Sequence, residues 1–321
     1  MSLPSIVTLT LNPTVDAACE AELVRPIHKI RTSNEEFGPG GGGINVARTL
    51  RDLGGDAVAL YLAGGATGGV LGKLTAAIGL PCRPIAIGDD TRIAHIVYER
   101  SSGLEYRFVP EGPRVTEDEW RKCLTAVAGL SCDYFIASGS LPRGLPADAY
   151  VQVAARLPPA TKFVLDTSGA ALARAVDRGG LFLVKPSRGE FETLVGRRLQ
   201  RDQDIGEAAM GFVRSGAAQY VAVTLGRDGA LLASADGVLR RAAPDVVAKS
   251  AVGAGDSFLA ALVLALAGGR PADDAFAYAL AAGAAAVLRH GPYRCDREDV
   301  ARLYGEIRAG AVEKALFRED G

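Results

Sequence analysis

The sequence predicts an α/β fold with a mainly parallel central sheet and a smaller sheet beside it. Short runs rich in β-branched residues alternate with stretches of helical periodicity, the rhythm of parallel α/β proteins. The runs are nearly continuously apolar, as strands buried on both faces must be. Two more polar stretches, 14–37 and 91–110, break that rhythm. The second alternates along Arg92-Ile93-Ala94-His95-Ile96-Val97-Tyr98-Glu99, the pattern of a strand with one covered face.

Taken in order, 6–11 opens the large sheet and 14–37 is the first insertion. A glycine run then leads into a helical pattern over 45–53. A strand at 57–62 and a helix at 70–78 follow. The second insertion turns at Ser101-Ser102-Gly103, which predicts a hairpin. Helices over 117–130 and 147–156 flank a strand at 134–137. Strands at 162–165, 181–184 and 220–224 alternate with helices at 170–178 and 204–215. From Gly255 to about Ala315 the chain reads as several consecutive helices. No internal repeat or low-complexity linker appears, so 1–321 is expected to be one domain whose insertions build an accessory sheet.

Composition narrows the function. The 321 residues carry 36 Lys plus Arg and 37 Asp plus Glu, a net charge of −1. That balance argues against a broad nucleic-acid or membrane-surface binder. Residues 1–13 have neither a basic start nor a long apolar run, so no signal peptide is expected. The longest apolar run, 258–267, is far short of the ~20 residues of a membrane span. Cys19, Cys82, Cys123, Cys132 and Cys295 are scattered and form no C-x-x-C, as expected of reduced thiols in a cytoplasmic protein. Three histidines without an H-x-x-x-H pair give no zinc site. Glycine is the outlier: 39 residues, well above the usual ~7%.

Four motifs could carry chemistry. Gly38-Pro39-Gly40-Gly41-Gly42-Gly43-Ile44-Asn45 opens a helix with a bare backbone, which lets a ligand approach the free N–H groups; a loose surface loop is the plainer reading. Ser250-Ala251-Val252-Gly253-Ala254-Gly255-Asp256-Ser257 starts the apolar run. It gathers N–H groups and the positive helix end beside the Asp256 carboxylate, which could take a proton from a hydroxyl. Asp256 as a simple helix cap is the alternative. Lys185-Pro186-Ser187-Arg188-Gly189-Glu190 follows a strand, where α/β sheets bind ligands; Lys185 could meet phosphate and Glu190 a hydrated metal, or the two could form an exposed ion pair. Thr224-Leu225-Gly226-Arg227-Asp228-Gly229 is again strand then turn, or any hairpin. No G-x-x-x-x-G-K-[ST] occurs, and no G-x-G-x-x-G follows the first strand, which lowers an NAD-linked oxidoreductase reading.

These motifs occur in one ordered series with Thr8-Leu9-Thr10-Leu11-Asn12-Pro13, Asp16, Ala63-Gly64-Gly65-Ala66-Thr67-Gly68, Ser138-Gly139-Ser140-Leu141-Pro142, Asp166, Ser168-Gly169, Ala282-Gly283 and Gly291. In that order they resemble the ribokinase/phosphofructokinase-B family of sugar kinases over nearly the whole chain. The resemblance implies a ribokinase-like three-layer αβα sandwich with a small β-sheet lid that often also makes a homodimer. Four plain glycines, where relatives acting on fructose 1-phosphate or tagatose 6-phosphate usually carry a lysine at the place of Gly42, look most like B-type 6-phosphofructokinases. The implied reaction transfers the ATP γ-phosphoryl group to O1 of fructose 6-phosphate. The 1-phosphofructokinase and tagatose-6-phosphate kinase activities remain the alternatives, and a non-catalytic sugar-phosphate sensor a remote one.

Carried over residue by residue, the resemblance makes Asp256 the general base and the N–H groups of Gly253, Ala254, Gly255 and Asp256 the anion hole. Asp16, Gly40, Gly41, Gly42, Gly43, Asn45 and Ser140 would hold the sugar. Arg92 and Lys29 would bind its phosphate, Lys29 from a partner subunit. ATP would lie along Lys185, Ser187, Thr224, Gly226, Gly229, Gly255 and Gly283. Mg²⁺ would be held through water near Glu190; there the family motif normally has Asn where this chain has Ser187, whose shorter hydroxyl is expected to need a bridging water. Ser250, Val252, Ala286, Arg289 and Gly291 match a K⁺ site. Arg143 departs from relatives, which commonly carry a second proline there.

Overall fold

The computed structural model describes residues 4–250, 252–288, 295–310 and 314–317. Its first half contains β1 (Ile6–Thr10), β2 (Thr14–Ala21), β3 (Thr32–Gly40), α1 (Gly42–Asp52), β4 (Ala57–Gly64) and α2 (Gly65–Ala77). These lead to β5 (Cys82–Ile87), β6 (Arg92–Glu99), β7 (Leu104–Phe108), α3 (Glu117–Ala128), β8 (Tyr134–Ser138) and α4 (Ala149–Ala154). The second half begins with β9 (Lys162–Asp166), α5 (Gly169–Arg178), β10 (Leu181–Val184), α6 (Arg188–Val195), α7 (Asp202–Arg214) and β11 (Ala218–Thr224). It ends with β12 (Ala230–Ser234), β13 (Gly237–Arg241), α8 (Ala254–Ala267), α9 (Ala272–Ala286), α10 (Arg297–Ala309) and β14 (Lys314–Phe317).

Among the described residues the large sheet has the order β14-β13-β12-β11-β10-β9-β8-β1-β4-β5. Every neighbour pair from β11 to β5 is parallel, and the β12, β13 and β14 edge is antiparallel. The buried parallel strands are those whose sequences are almost wholly apolar: β1, β8 and β10 are buried along their full length. One face packs under α3, α4, α5, α6 and α7 through residues such as Trp120, Tyr150, Leu172, Phe191 and Ile205. The other packs under α1, α8 and α9 through Ile44, Leu50, Leu259, Leu262 and Phe276. This is a three-layer αβα arrangement.

The two polar stretches meet in a second sheet of order β3-β2-β6-β7. The hairpin between β6 and β7 pairs His95 with Phe108 and Glu99 with Leu104, and β2 runs parallel to β6.

Two sequence expectations change. The tail is not helical to about Ala315: α8, α9 and α10 end at Ala309, and Lys314–Phe317 returns as a strand on the sheet edge. The helix expected from Asn45 begins at Gly42, and β3 runs through Gly40, so the glycine run is split between a strand end and a helix start.

Candidate active site

β1 lies between β8 and β4 in the large sheet, and the site lies above their carboxyl ends, where open α/β sheets bind ligands. Loops from β1, β8, β9, β10 and β11 converge there with the first turns of α1 and α8. Asp256 lies on the first turn of α8, whose N-cap is Gly253 in the left-handed conformation at φ 77°. The cap position is thus taken by Gly253, and Asp256 is the third residue of the helix rather than its N-cap. Instead its Oδ2 accepts a 2.8 Å bond from Asn45 Nδ2, joining the starts of α1 and α8 across 211 residues of sequence. Burial, with the Asp166 carboxylate nearby, pushes the Asp256 carboxyl up to about 6 against the pull of Asn45 and Lys185.

Asp166, at the end of β9, is held by Lys185 Nζ at 3.0 Å and accepts a 3.3 Å bond from Ser138 Oγ. Lys185 is 5% exposed, so the pair is buried and is not the exposed ion pair considered from the sequence. Burial works against the charge of Lys185, but Asp166, Asp256 and Glu190 together hold its pKa above the ordinary value. A Cβ on Gly255 would lie 3.3 Å from Lys185 Nζ, which places the ammonium directly behind the glycine turn.

A polar cavity of about 270 Å³ lies on one side of that turn. Asp16, Asn45, Ser138, Ser140 and Asp256 line it, with Arg92 and Arg107 above. Burial pushes the Asp16 carboxyl up to about 6, with Arg107, Arg48 and Arg92 pulling it down. Asn45 Oδ1 is buried with no hydrogen-bond partner among the described residues. An orphaned buried acceptor of this kind costs stability unless a ligand satisfies it.

The glycine run is tighter than a ligand approach alone requires. A methyl on Gly42 would run into Ser138 Oγ, one on Gly40 into the Asp16 carboxylate, and one on Gly43 would stand 2.6 Å from Leu9 O. These positions are bare first because the chain packs against itself.

A larger cavity, about 610 Å³, lies on the other side of the turn. Its walls are mostly apolar, from Phe258, Leu280, Val246 and Val287, and its rim includes Thr224, Gly226, Gly229, Gly255 and Gly283. The Thr224 motif is therefore both the antiparallel turn from β11 to β12 and part of this cavity. Ser187 and Glu190 form a capping box on α6. The Ser187 N–H and hydroxyl each donate to Glu190 Oε2 at 2.7 Å, and Ser187 Oγ accepts from the Glu190 N–H at 3.4 Å. The Ser187 hydroxyl is thus bonded directly to Glu190 at the start of α6.

A family model for the pfkB family carbohydrate kinases matches residues 9–299. The chain belongs to the pfkB family of carbohydrate kinases. It is 40% identical to the ATP-dependent 6-phosphofructokinase isozyme 2 of Mycobacterium tuberculosis strain H37Rv over 313 residues, 97% of this chain and 91% of the relative. It superposes with TM-score 0.90, at 37% identity, on the phosphofructokinase-2 of Escherichia coli in complex with fructose-6-phosphate, covering 95% of this chain and 100% of that one. The E. coli enzyme has also been solved in complex with potassium and as a tetrameric inhibited form. The ribokinase of Arabidopsis thaliana shares the fold at TM-score 0.72 and 21% identity, covering 95% of this chain and 99% of that one, so the fold is ribokinase-like.

Within this kinase fold, most residues singled out by sequence converge on the two cavities: Asp16, Gly41, Gly42, Asn45, Arg92, Ser140, Gly253, Asp256 and Glu190 on the polar one, and Thr224, Gly226, Gly229, Ala254, Gly255 and Gly283 on the apolar one. Lys29 does not join them. It is exposed in the connection between β2 and β3, outside either lining. Arg92 is less available than a free fork, since its two terminal amines donate at 2.8 Å to Pro110 O and Asn12 O. Its buried Nε has no partner among the described residues. Ser250, Val252 and Ala286 are described, whereas Arg289 and Gly291 lie outside the described residues. Sequence reasoning gave no site role to Arg107 or to Asp166, although Asp166 stood in the motif series. Arg107 lies on β7 of the alternating hairpin, where the period-two pattern could have aimed it at the covered face. Asp166 ends a parallel strand, the position from which such sheets present ligand-binding groups.

Proposed function

We propose that the protein is an ATP-dependent 6-phosphofructokinase that moves the γ-phosphoryl group of ATP to O1 of fructose 6-phosphate, giving fructose 1,6-bisphosphate and ADP. The observation that carries this reading is Asp256. It is a carboxylate with a pKa raised to about 6 that stands, oriented by Asn45, at the junction of a small polar cavity and a larger apolar one. In the step, the Asp256 carboxylate takes the proton of the O1 hydroxyl, the oxygen attacks the γ-phosphorus, and the bond to the β,γ-bridging oxygen breaks as ADP leaves with the electron pair. The N–H groups at residues 253–256 and the positive end of α8 face the oxygens of the transferring group.

In this reading Asp16, Asn45, Ser140 and the glycines 40–43 hold the sugar hydroxyls. Arg92 and Arg107 bind the 6-phosphate, together with Lys29 of the partner subunit. ATP occupies the apolar cavity along Thr224, Gly226, Gly229, Gly255 and Gly283, with Lys185 behind the glycine turn and Ser187 at the start of α6, both outside its lining. The carboxylates of Glu190 and Asp166 suit a hard, hydrated cation, so Mg²⁺ accompanying the nucleotide would be held near Glu190 through its waters, where it neutralises phosphate charge. Carbonyls of Ser250, Val252 and Ala286 would contribute to a K⁺ site, to which the family resemblance adds Arg289 and Gly291.

The small sheet would close over the sugar and exclude water, which otherwise competes as phosphoryl acceptor. Its exposed Phe37, Leu104, Phe108 and Val109 support a homodimer formed through it. Among the described residues no helix is long and apolar enough to cross a membrane. Cys19, Cys82, Cys123 and Cys132 are free thiols, in keeping with a cytoplasmic enzyme.

ADP release with Mg-ATP and K⁺ should be compared across fructose 6-phosphate, fructose 1-phosphate, tagatose 6-phosphate and fructose. A kcat/KM for fructose 6-phosphate at least ~10-fold above the others is expected, since a lost phosphate contact is worth more than 1.4 kcal/mol. Preference for fructose 1-phosphate would overturn the substrate assignment, and no turnover with any sugar would overturn the kinase reading.

A further inference from the structure

Ser250 and Val252 stand just before the turn that begins at Gly253, and they are gripped from two sides. On one side the N–H groups of Lys249 and Ser250 donate to Val287 O, just past α9, at 2.7 and 3.4 Å. On the other side is the small sheet. Ser250, only 6% exposed, donates its hydroxyl to Glu105 Oε2 on β7 at 3.0 Å and accepts the Val252 N–H at 3.2 Å. Val252, also 6% exposed, packs against Ala18 of β2 and Ile96 of β6, forming a buried apolar patch of three residues separate from the main cores.

A serine hydroxyl has a single proton. With that proton committed to Glu105, the lone pairs of Ser250 Oγ are aimed at the Val252 N–H. Without the carboxylate the hydroxyl would rotate, and the N–H would face an acceptor of no fixed direction. Bonds to an ionised acceptor are roughly twice as strong as neutral ones, so the carboxylate defines the rotor well. Val252 leads directly into Gly253, and the course of the chain there sets where the N–H groups of the following turn point.

We infer that Glu105 is a positioning residue that couples the seating of the small sheet to the geometry of the 253–256 turn. The inference rests on the kinase reading and extends it: the N–H groups that receive the phosphoryl group are aligned when the sheet is docked, through the Glu105–Ser250 bond and the Ala18–Ile96–Val252 contact. Glu105 touches neither substrate in this arrangement, and acts on the rate only through Ser250.

Steady-state kinetics on the full chain with Mg-ATP and fructose 6-phosphate test this, using Glu105→Ala, Ser250→Ala, the double variant and Glu105→Gln. A charge-assisted bond lost from the transition state lowers kcat by about tenfold in each single variant, with KM for ATP within about twofold. The double variant should be no slower than the slower single, because both remove one interaction. Glu105→Gln keeps a carbonyl acceptor and should retain kcat within about threefold, a rescue that mere loss of folding would not give. Should Glu105→Ala unfold, as judged by circular dichroism, Ser250→Ala and Glu105→Gln carry the same decision. Unchanged kcat in the unrescued variants, an effect confined to KM, or a double loss equal to the product of the single losses would overturn the coupling. A wild-type chain with no turnover on any hexose phosphate would overturn the kinase reading and the coupling with it.

Discussion

Asp256 has to be poorly solvated to work as a base and costs stability for the same reason. Its carboxyl is raised from 3.8 to about 6, so the folded state holds a proton there more tightly than the unfolded chain does. The sign follows from linkage. The contribution of this group to stability is complete below 3.8 and is lost as pH rises through about 6. At neutral pH the carboxylate is therefore a net cost. Asp256→Asn should raise the melting temperature at pH 7.5 by a few degrees, roughly 2–4 °C per kcal/mol recovered. The same change should lower kcat by about 10²–10⁴-fold while nucleotide binding persists, because a general base contributes on that scale. In the wild-type enzyme, kcat should fall as pH drops through about 6, following the fraction of Asp256 that is ionised. Calorimetry and a pH–rate profile check both halves. A flat profile between pH 5 and 7.5 would remove Asp256 from the role of base.

At the scale of elements, the parallel strands and the amphipathic helices were legible because each buries a continuous or periodic apolar set within its own few residues. The pieces that were not legible lack such a set. β5 exposes half of its side chains and contains Pro84, and α6 is eight residues held by the Ser187–Glu190 box. β14 depends on pairing with β13, which no local pattern announces. The site divides the same way. The glycine turns announced themselves by composition, but the Asn45–Asp256 and Asp166–Lys185 pairs join distant segments, and only the fold brings them together. The start of α1 shows how a local motif can mislead about its cause. Gly42 was read as a bare approach to ligand, yet a methyl there meets Ser138 Oγ and stands 2.9 Å from the Ser138 carbonyl carbon. Gly42→Ala must therefore push α1 away from β8 and carry Asn45 with it. We expect a loss of about 1–3 kcal/mol by denaturant titration, the usual cost of overpacking a tight contact. KM for fructose 6-phosphate should rise while KM for ATP stays put, since the apolar cavity does not touch Gly42. Equal rises in both would mean that the helix shift reaches the 253–256 turn as well.

Of the two basic residues that the family resemblance assigns to the sugar phosphate, Lys29 stands apart from both cavities within a single chain. Lys29 is exposed in the connection between β2 and β3, which is flanked by Leu23, Ile27 and Ile30, all of them exposed apolar residues. Phe37, Leu104 and Phe108 of the same sheet are exposed too. An apolar sheet face of this kind is cheaper to cover with a second copy than to leave in water. Under the proposed dimer, Lys29 reaches the phosphate of the neighbouring site, and that arrangement has a consequence a single chain cannot imitate. Lys29→Ala should weaken fructose 6-phosphate binding at every site of its own dimer, and Asp256→Asn should stop turnover at every site of its own. In a mixed dimer the Lys29→Ala chain keeps its own Asp256 and receives Lys29 from its partner, so one of its two sites is wholly native. Mixing the two inactive or weakened variants, after dissociation and reassociation, should restore turnover at low fructose 6-phosphate concentration. Phe108→Glu, which sets a charge in the covered face, should shift the protein to monomer in light scattering and abolish that restoration. A mixture no more active than the sum of its parts, from chains shown to exchange, would put Lys29 outside the neighbouring site and leave Arg92 and Arg107 to hold the phosphate unaided.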